Sequence, residues 1–251
     1  MKTKQPEGQL ARVSTLGGLL GIKTGPLLPR LAPIASACDD KLLVTVDHGF
    51  DALTVTTTVA RDAALAMCGA WLDALPGDTI DLAVGATTLA AFSDEAALPS
   101  AVPALVHSIG ADLATLGFDG TAWTYVMDQA NATDDDVAAT IARFDRAAAQ
   151  LGVTTAQREI AATLHRSLAR TMTTRTWLRT REGALEPRVG IVWDEVEWTP
   201  LQSMLKGFYP KGGGVEKIAR LSRAIDAEHA TVELILGPTD PPALRFTFPL
   251  V

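Results

Sequence analysis

The feature that most constrains this chain is a two-residue period, which gives each extended segment one apolar face and one polar face. Successive side chains of a strand point to opposite sides of a sheet, so such a period sorts residues by environment. Over 53–59, Leu53, Val55, Thr57 and Val59 oppose Thr54, Thr56 and Thr58. Over 171–179, Met172, Thr174, Thr176 and Leu178 oppose Thr171, Thr173, Arg175, Trp177 and Arg179. Val189, Ile191 and Trp193 oppose Arg188, Gly190, Val192 and Asp194. In the last two segments Val232, Leu234 and Leu236 oppose Thr231, Glu233 and Ile235, and Phe246 and Phe248 oppose Arg245 and Thr247.

Strands of this kind suit an antiparallel sheet with helices on its apolar face. An open two-layer sheet would leave the polar face in solvent. Closure into a barrel removes the sheet edges and turns that face into an enclosed lumen. Arg175, Trp177, Arg188 and Arg245 are awkward companions on a plain solvent face, which favours closure. The expectation is an α+β chain, a closed antiparallel β-barrel ringed by helices, with Thr54, Thr56, Arg175, Trp177, Arg188 and Glu233 pointing inward.

The intervening segments supply the helices. Residues 9–21, 60–75, 101–116, 133–151, 155–169, 199–206 and 215–228 read as helical. Pro76-Gly77 ends one of them, and Thr133 sits at an N-cap position before Asp134, Asp135 and Asp136. Further strands are expected at 42–46, 79–85 and 121–128, with 86–95 left without one. Short Gly-containing turns around 47–51, Arg181-Glu182-Gly183 and Gly237-Pro238-Thr239-Asp240 join paired strands. The order is helix, paired strands, helix, repeated over one domain spanning 1–251.

Composition narrows the function classes. A hydrophobic share of 47% suffices for a substantial core, and a net charge of −7 argues against nucleic acid or an anionic membrane as partner. Cys38 and Cys68 are too few for a disulfide framework or a structural zinc site, and neither a secretion signal nor a membrane span is visible. A cytoplasmic setting is expected.

The segment order resembles the soluble bacterial aromatic prenyltransferases of the αββα-barrel family. The residues that carry the resemblance are Leu19-Leu20-Gly21 before a Pro-rich stretch, the hairpin Lys41–Val59, and Gln150-Leu151-Gly152-Val153. It continues through Arg170–Val192, with the turn Glu182-Gly183 and the following Arg188, then Val215-Glu216-Lys217 and the final hairpin 231–248. The resemblance implies an enzyme of secondary metabolism in which an allylic diphosphate ionises and an electron-rich aromatic acceptor attacks the carbocation. Its partners are those two small molecules. Arg188 falls on the family's diphosphate-binding arginine, Arg175 on or beside a phosphate-contacting tyrosine, and His229 near a late diphosphate-binding lysine. Arg245, Thr54, Thr56 and Tyr125 join them as substrate contacts, and since Tyr125 and Tyr209 are the only two tyrosines, Trp123, Trp177 and, despite its outward parity, Trp193 stand in for the family's aromatic lining. Thr54 takes the place of the aspartate of magnesium-dependent members, so no cofactor, magnesium included, is expected. No counterpart of the family's mid-chain diphosphate lysine occurs around Ala83–Phe92. That keeps open a barrel of the same fold that binds or cyclises an apolar molecule without a diphosphate.

Other candidates have plainer readings beside the functional ones. Glu233 and Asp81 have polar-face parity and can serve as catalytic carboxylates, although pairing with Arg245 or Arg175 explains them equally. Asp134, Asp135 and Asp136 suit a helix N-terminus without any ligand. Lys211-Gly212-Gly213-Gly214 reads as a loop, and Asp47-His48 as a solvated turn.

Overall fold

The alternating segments fold as antiparallel strands in the structure, a computed structural model that describes residues 6–37, 42–47, 49–95, 104–109, 112–129, 133–168, 174–208, 213–225 and 228–250. The elements run α1 (Pro6–Leu20), α2 (Leu28–Ala35), β1 (Leu42–Asp47), β2 (Leu53–Ala60), α3 (Arg61–Cys68), β3 (Thr79–Val84) and β4 (Leu89–Ser93). They continue with α4 (Ala104–Ile109), β5 (Asp112–Phe118), β6 (Ala122–Gln129), α5 (Asp134–Gln150), α6 (Thr155–Leu168), β7 (Thr174–Arg181) and β8 (Ala184–Glu197). Last come α7 (Trp198–Phe208), α8 (Gly213–Ile225), β9 (His229–Leu236) and β10 (Ala243–Leu250). The strands close in the ring β1-β10-β9-β8-β7-β6-β5-β4-β3-β2. This is the helix-ringed antiparallel barrel that the two-residue period implies.

Burial follows parity. The outward residues Val44, Val55, Ile80, Leu82, Leu178, Ile191, Trp193, Val232, Leu234, Phe246 and Phe248 are buried beneath the helices. The helices reply with Val13, Leu16, Leu31, Phe144, Leu164, Leu205, Ile218 and Leu221. Trp198 at the start of α7 stacks on Phe248 with centroids 5.3 Å apart. The core is therefore a sleeve between barrel and helices, and the lumen is left to the other face. All five hairpin turns lie at one mouth, whereas the helices make the connections at the other.

Four local readings change. A strand forms at Leu89–Ser93, and residues 112–118 are a strand rather than the end of a helix, because pairing along both edges overrides the helical preference of Leu and Ala. The helix expected over 60–75 stops at Cys68, where Gly69 takes φ 95°, and a 3₁₀ turn follows over Ala70–Ala74. The Pro-rich stretch holds α2, with Pro29 in the first turn, where a proline is tolerated, and Pro33 inside the helix. Thr171, Met172 and Thr173 lie outside the described residues. Thr133 caps α5 with Asp136 in a reciprocal capping box, which accounts for the aspartate run without a ligand.

Candidate active site in the barrel lumen

Registers fix which side chains meet inside the barrel. Asp47 pairs with Arg245, Arg245 with Glu233, Glu233 with Val192, Val192 with Arg175, and Arg175 with Asp128, a single girdle across six strands. Arg245 Nε donates to Asp47 at 2.8 Å and its Nη1 lies 3.6 Å from Glu233. Burial works against this charge, yet Glu233 and Asp47 together hold the Arg245 guanidinium above its ordinary pKa. Glu233 also accepts the Trp177 indole N–H at 2.6 Å. Arg175 donates to Asp194 at 2.6 Å, and the same carboxylate oxygen accepts the Thr231 hydroxyl at 3.1 Å. The hydroxyls of Thr45 and Thr247 share a hydrogen bond of 2.8 Å.

The girdle leaves donors to spare. A guanidinium carries five N–H groups, and the side chains of Arg175 and Arg245 are 32% and 43% exposed inside a closed ring of strands. Among the described residues Arg175 Nε is buried without a partner. Trp177 lies over Gly190, where a Cβ would meet the indole directly.

The opposite wall is chemically different. Strands β2, β3 and β4 face the lumen with Thr54, Thr56, Thr58, Ala83, Ala90 and Phe92, and Asp81 is their one charged residue. Thr58 donates its hydroxyl to Asp81. Phe92 pairs across strands with Asp81 on one side and Gly117 on the other, where a Cβ would come within 2.5 Å of the ring.

Several expected site residues stand elsewhere. Trp123 and Tyr125 face the helices, because their register partners Thr180 and Leu178 are buried on the outer surface. Tyr125 meets the Thr180 hydroxyl at 3.4 Å, and Trp123 stacks on Phe118 at 4.5 Å. Neither lines the lumen. Arg188 stands at the hairpin mouth, 56% exposed and paired with Asp240 at 2.8 Å. Four residues separate it from Val192, the partner of Arg175, so the two arginines lie about 13 Å apart along the strand direction. They do not form one anion cradle. His229 is exposed at the other mouth, opposite Glu197. Thr54, Thr56, Arg175, Trp177, Glu233, Arg245 and Asp81 do face inward.

Sequence reasoning missed Phe92 as a lumen residue, because its strand is five residues long and lacks alternation. It also missed the mouth cluster in which Arg179 pairs with Asp119 and Arg181 with Glu186. Burial would raise the Asp119 pKa, but the N–H groups of Ala122 and Thr121, the Thr121 hydroxyl and Arg179 together hold it below the usual carboxylate range. Among the described residues no three His, Cys, Asp or Glu side chains converge to hold a metal ion. None of the described helices is long and apolar enough to cross a membrane.

A ten-stranded antiparallel barrel with a polar lumen and an outer ring of helices is the αββα barrel of aromatic prenyltransferases, and that is the fold of this chain. The structure of 5-dimethylallyl tryptophan synthase from Streptomyces coelicolor in complex with DMASPP and Trp matches it with a TM-score of 0.70, covering 97% of this chain and 94% of that one at 9% identity. A second structure of 5-dimethylallyltryptophan synthase from Streptomyces coelicolor gives 0.67 over 97% and 96%, again at 9% identity. No family model matches the sequence. No curated protein matches it either.

Proposed function

We propose that this protein is a soluble, cytoplasmic aromatic prenyltransferase of secondary metabolism, built as a single αββα-barrel domain. The observation that carries the reading is a lumen with an arginine-bearing wall, inside a barrel that superposes nearly end to end on one crystallised with an allylic diphosphate analogue and an aromatic amino acid. Arg175 and Arg245 offer unspent N–H donors to a departing diphosphate, and such donors act strongly in a water-poor cavity. Trp177, on the strand of Arg175 and bonded to the Glu233 that pairs with Arg245, offers an indole suited to shielding an allylic cation. Thr54 and Thr56 line the chamber, and Arg188 guides the anion at the mouth.

The reaction balances without a further reagent. The allylic C–O bond breaks and its electrons leave with diphosphate. A ring carbon of the acceptor then forms the C–C bond, and the displaced ring proton passes to a carboxylate. An arenium ion is acidic enough for an ion-paired carboxylate such as Glu233 to take that proton. No metal takes part.

A second reading rests on the carboxylates themselves. Arg175 and Arg245 face the three carboxylates Asp194, Asp47 and Glu233, with Asp81 on the opposite wall, so the lumen carries no net positive charge for a diphosphate. A barrel that binds or cyclises an apolar molecule without a diphosphate fits that balance.

Thermal shift with the thiolo analogues of dimethylallyl and geranyl diphosphate, followed by a transfer assay with dimethylallyl diphosphate and tryptophan, separates the two. Stabilisation and a prenylated product are expected. Absence of any shift with either analogue would leave the second reading standing.

A further inference from the structure

The lumen has two walls of opposite chemistry, and only one of them is accounted for by a diphosphate. Strand β3 lies five strands from β8 either way round the ring, so the wall of β2, β3 and β4 faces the arginine wall across the lumen. It is built of hydroxyls, small side chains and one aromatic ring, with Asp81 as its sole charge. Asp194 is held by Arg175, and Asp47 and Glu233 are both held by Arg245. Asp81 is not so held: its partner is the neutral hydroxyl of Thr58, and no cation pairs with it among the described residues. A carboxylate that faces the lumen without a cation of its own is free to take one from a ligand.

The residue beside it narrows the ligand. Phe92 is the cross-strand neighbour of Asp81 and is itself half-buried in the lumen. Gly117 on the next strand leaves room for the ring, since a Cβ there would collide with it. A carboxylate next to an accessible aromatic face suits an ammonium group, which gains an ion pair from the first and a cation–π contact from the second.

We infer that Asp81 and Phe92 form the subsite for a protonated amine on the aromatic acceptor. The acceptor class is therefore an arylalkylamine whose ring faces the Trp177 wall and whose ammonium rests on Asp81. The inference rests on the reading of the lumen as the acceptor's chamber. It concerns binding alone, so it stands or falls without a prenyl donor.

The test uses three indoles that share a ring and differ in the tail: tryptamine, tryptophol and indole-3-propionate. Calorimetric titration of the intact protein, with no diphosphate present, is expected to rank tryptamine at least roughly 10-fold above tryptophol, with the propionate weakest. D81N should erase that ranking by weakening tryptamine alone, with the melting temperature as a check on folding. F92L, which keeps the carboxylate, should reduce the preference without abolishing it. Equal affinity for tryptamine and tryptophol, an unchanged ranking in D81N, or no binding of any of the three overturns the assignment. A preserved amine preference without prenyl transfer would instead count against the transferase reading only.

Discussion

Trp177 donates its indole N–H to Glu233 at 2.6 Å, and it reaches that carboxylate by lying across Gly190 on the neighbouring strand. The two residues are locked by an absence, since the glycine has no Cβ to hold the ring away. Gly190→Ala should therefore displace the indole and break its hydrogen bond, costing about 1–3 kcal/mol as overpacking in a filled site does. Trp177→Phe keeps the ring but leaves Glu233 one donor short, for a loss of about 1–3 kcal/mol. Urea unfolding of both variants checks the pair. Native-like stability in Gly190→Ala would show that the ring has somewhere else to go.

A second buried contact sets a pH dependence. His165 on α6 is 1% exposed, and its Nδ1 accepts the Trp193 indole N–H at 2.9 Å. Burial pushes its pKa down from 6.5 to about 4. The unfolded chain then binds a proton below pH 6.5 that the native state refuses until about pH 4. Stability is lost as pH falls through that window, by about 3 kcal/mol in total. His165→Gln retains an acceptor for Trp193 and has no proton to bind. Its unfolding free energy should fall less between pH 7 and 5 than that of the native protein, and parallel curves would refute the assignment.

Asp47, Asp194 and Glu233 are each held by an arginine, Asp81 stands alone on the opposite wall, and Thr54, which the family resemblance puts in place of a magnesium-holding aspartate, faces the lumen without a charge. Binding of the thiolo diphosphate analogues and any transfer activity should survive EDTA. Activity that disappears with the chelator and returns with magnesium would mean that the substrate's own phosphates recruit a ligand from this wall.

Most of the barrel was legible because a strand with one covered face and one lumen face writes its orientation into every second residue. Thr54, Arg175, Trp177, Glu233 and Arg245 were all placed on the lumen side by that rule. Where the rule was set aside, the reading failed. In β6, Trp123, Tyr125 and Met127 form the larger apolar face and Thr124, Val126 and Asp128 the other, so parity alone assigns the aromatics to the helices. Only the resemblance to a family with an aromatic lumen lining points them inward. Strand β4 was invisible for a different reason: Leu89-Ala90-Ala91-Phe92-Ser93 has no polar alternation and gains its identity from the strands on either side. The ion-pair partners of the arginines depend on register, which a single strand's sequence does not carry.

Arg175 and Arg188 share polar-face parity in the sequence, and the fold separates them. Arg188 is exposed and its pair with Asp240 sits at the mouth, so Arg188→Ala should change stability by less than about 1 kcal/mol. Its effect on diphosphate affinity should be modest and sensitive to salt, as for a guiding charge. Arg175 faces the chamber, and removing it strips charge-assisted donors worth about 1.5–3 kcal/mol, or roughly 10- to 150-fold in affinity for the thiolo diphosphate. Arg175→Ala also leaves Asp194, among the described residues, with only the Thr231 hydroxyl, so its melting temperature should fall as well. Arg175→Ala combined with Asp194→Asn removes that unpaired carboxylate and should restore stability without restoring affinity. Recovery of both together would show that Arg175 serves the fold rather than a diphosphate, and would move the anion site to Arg245.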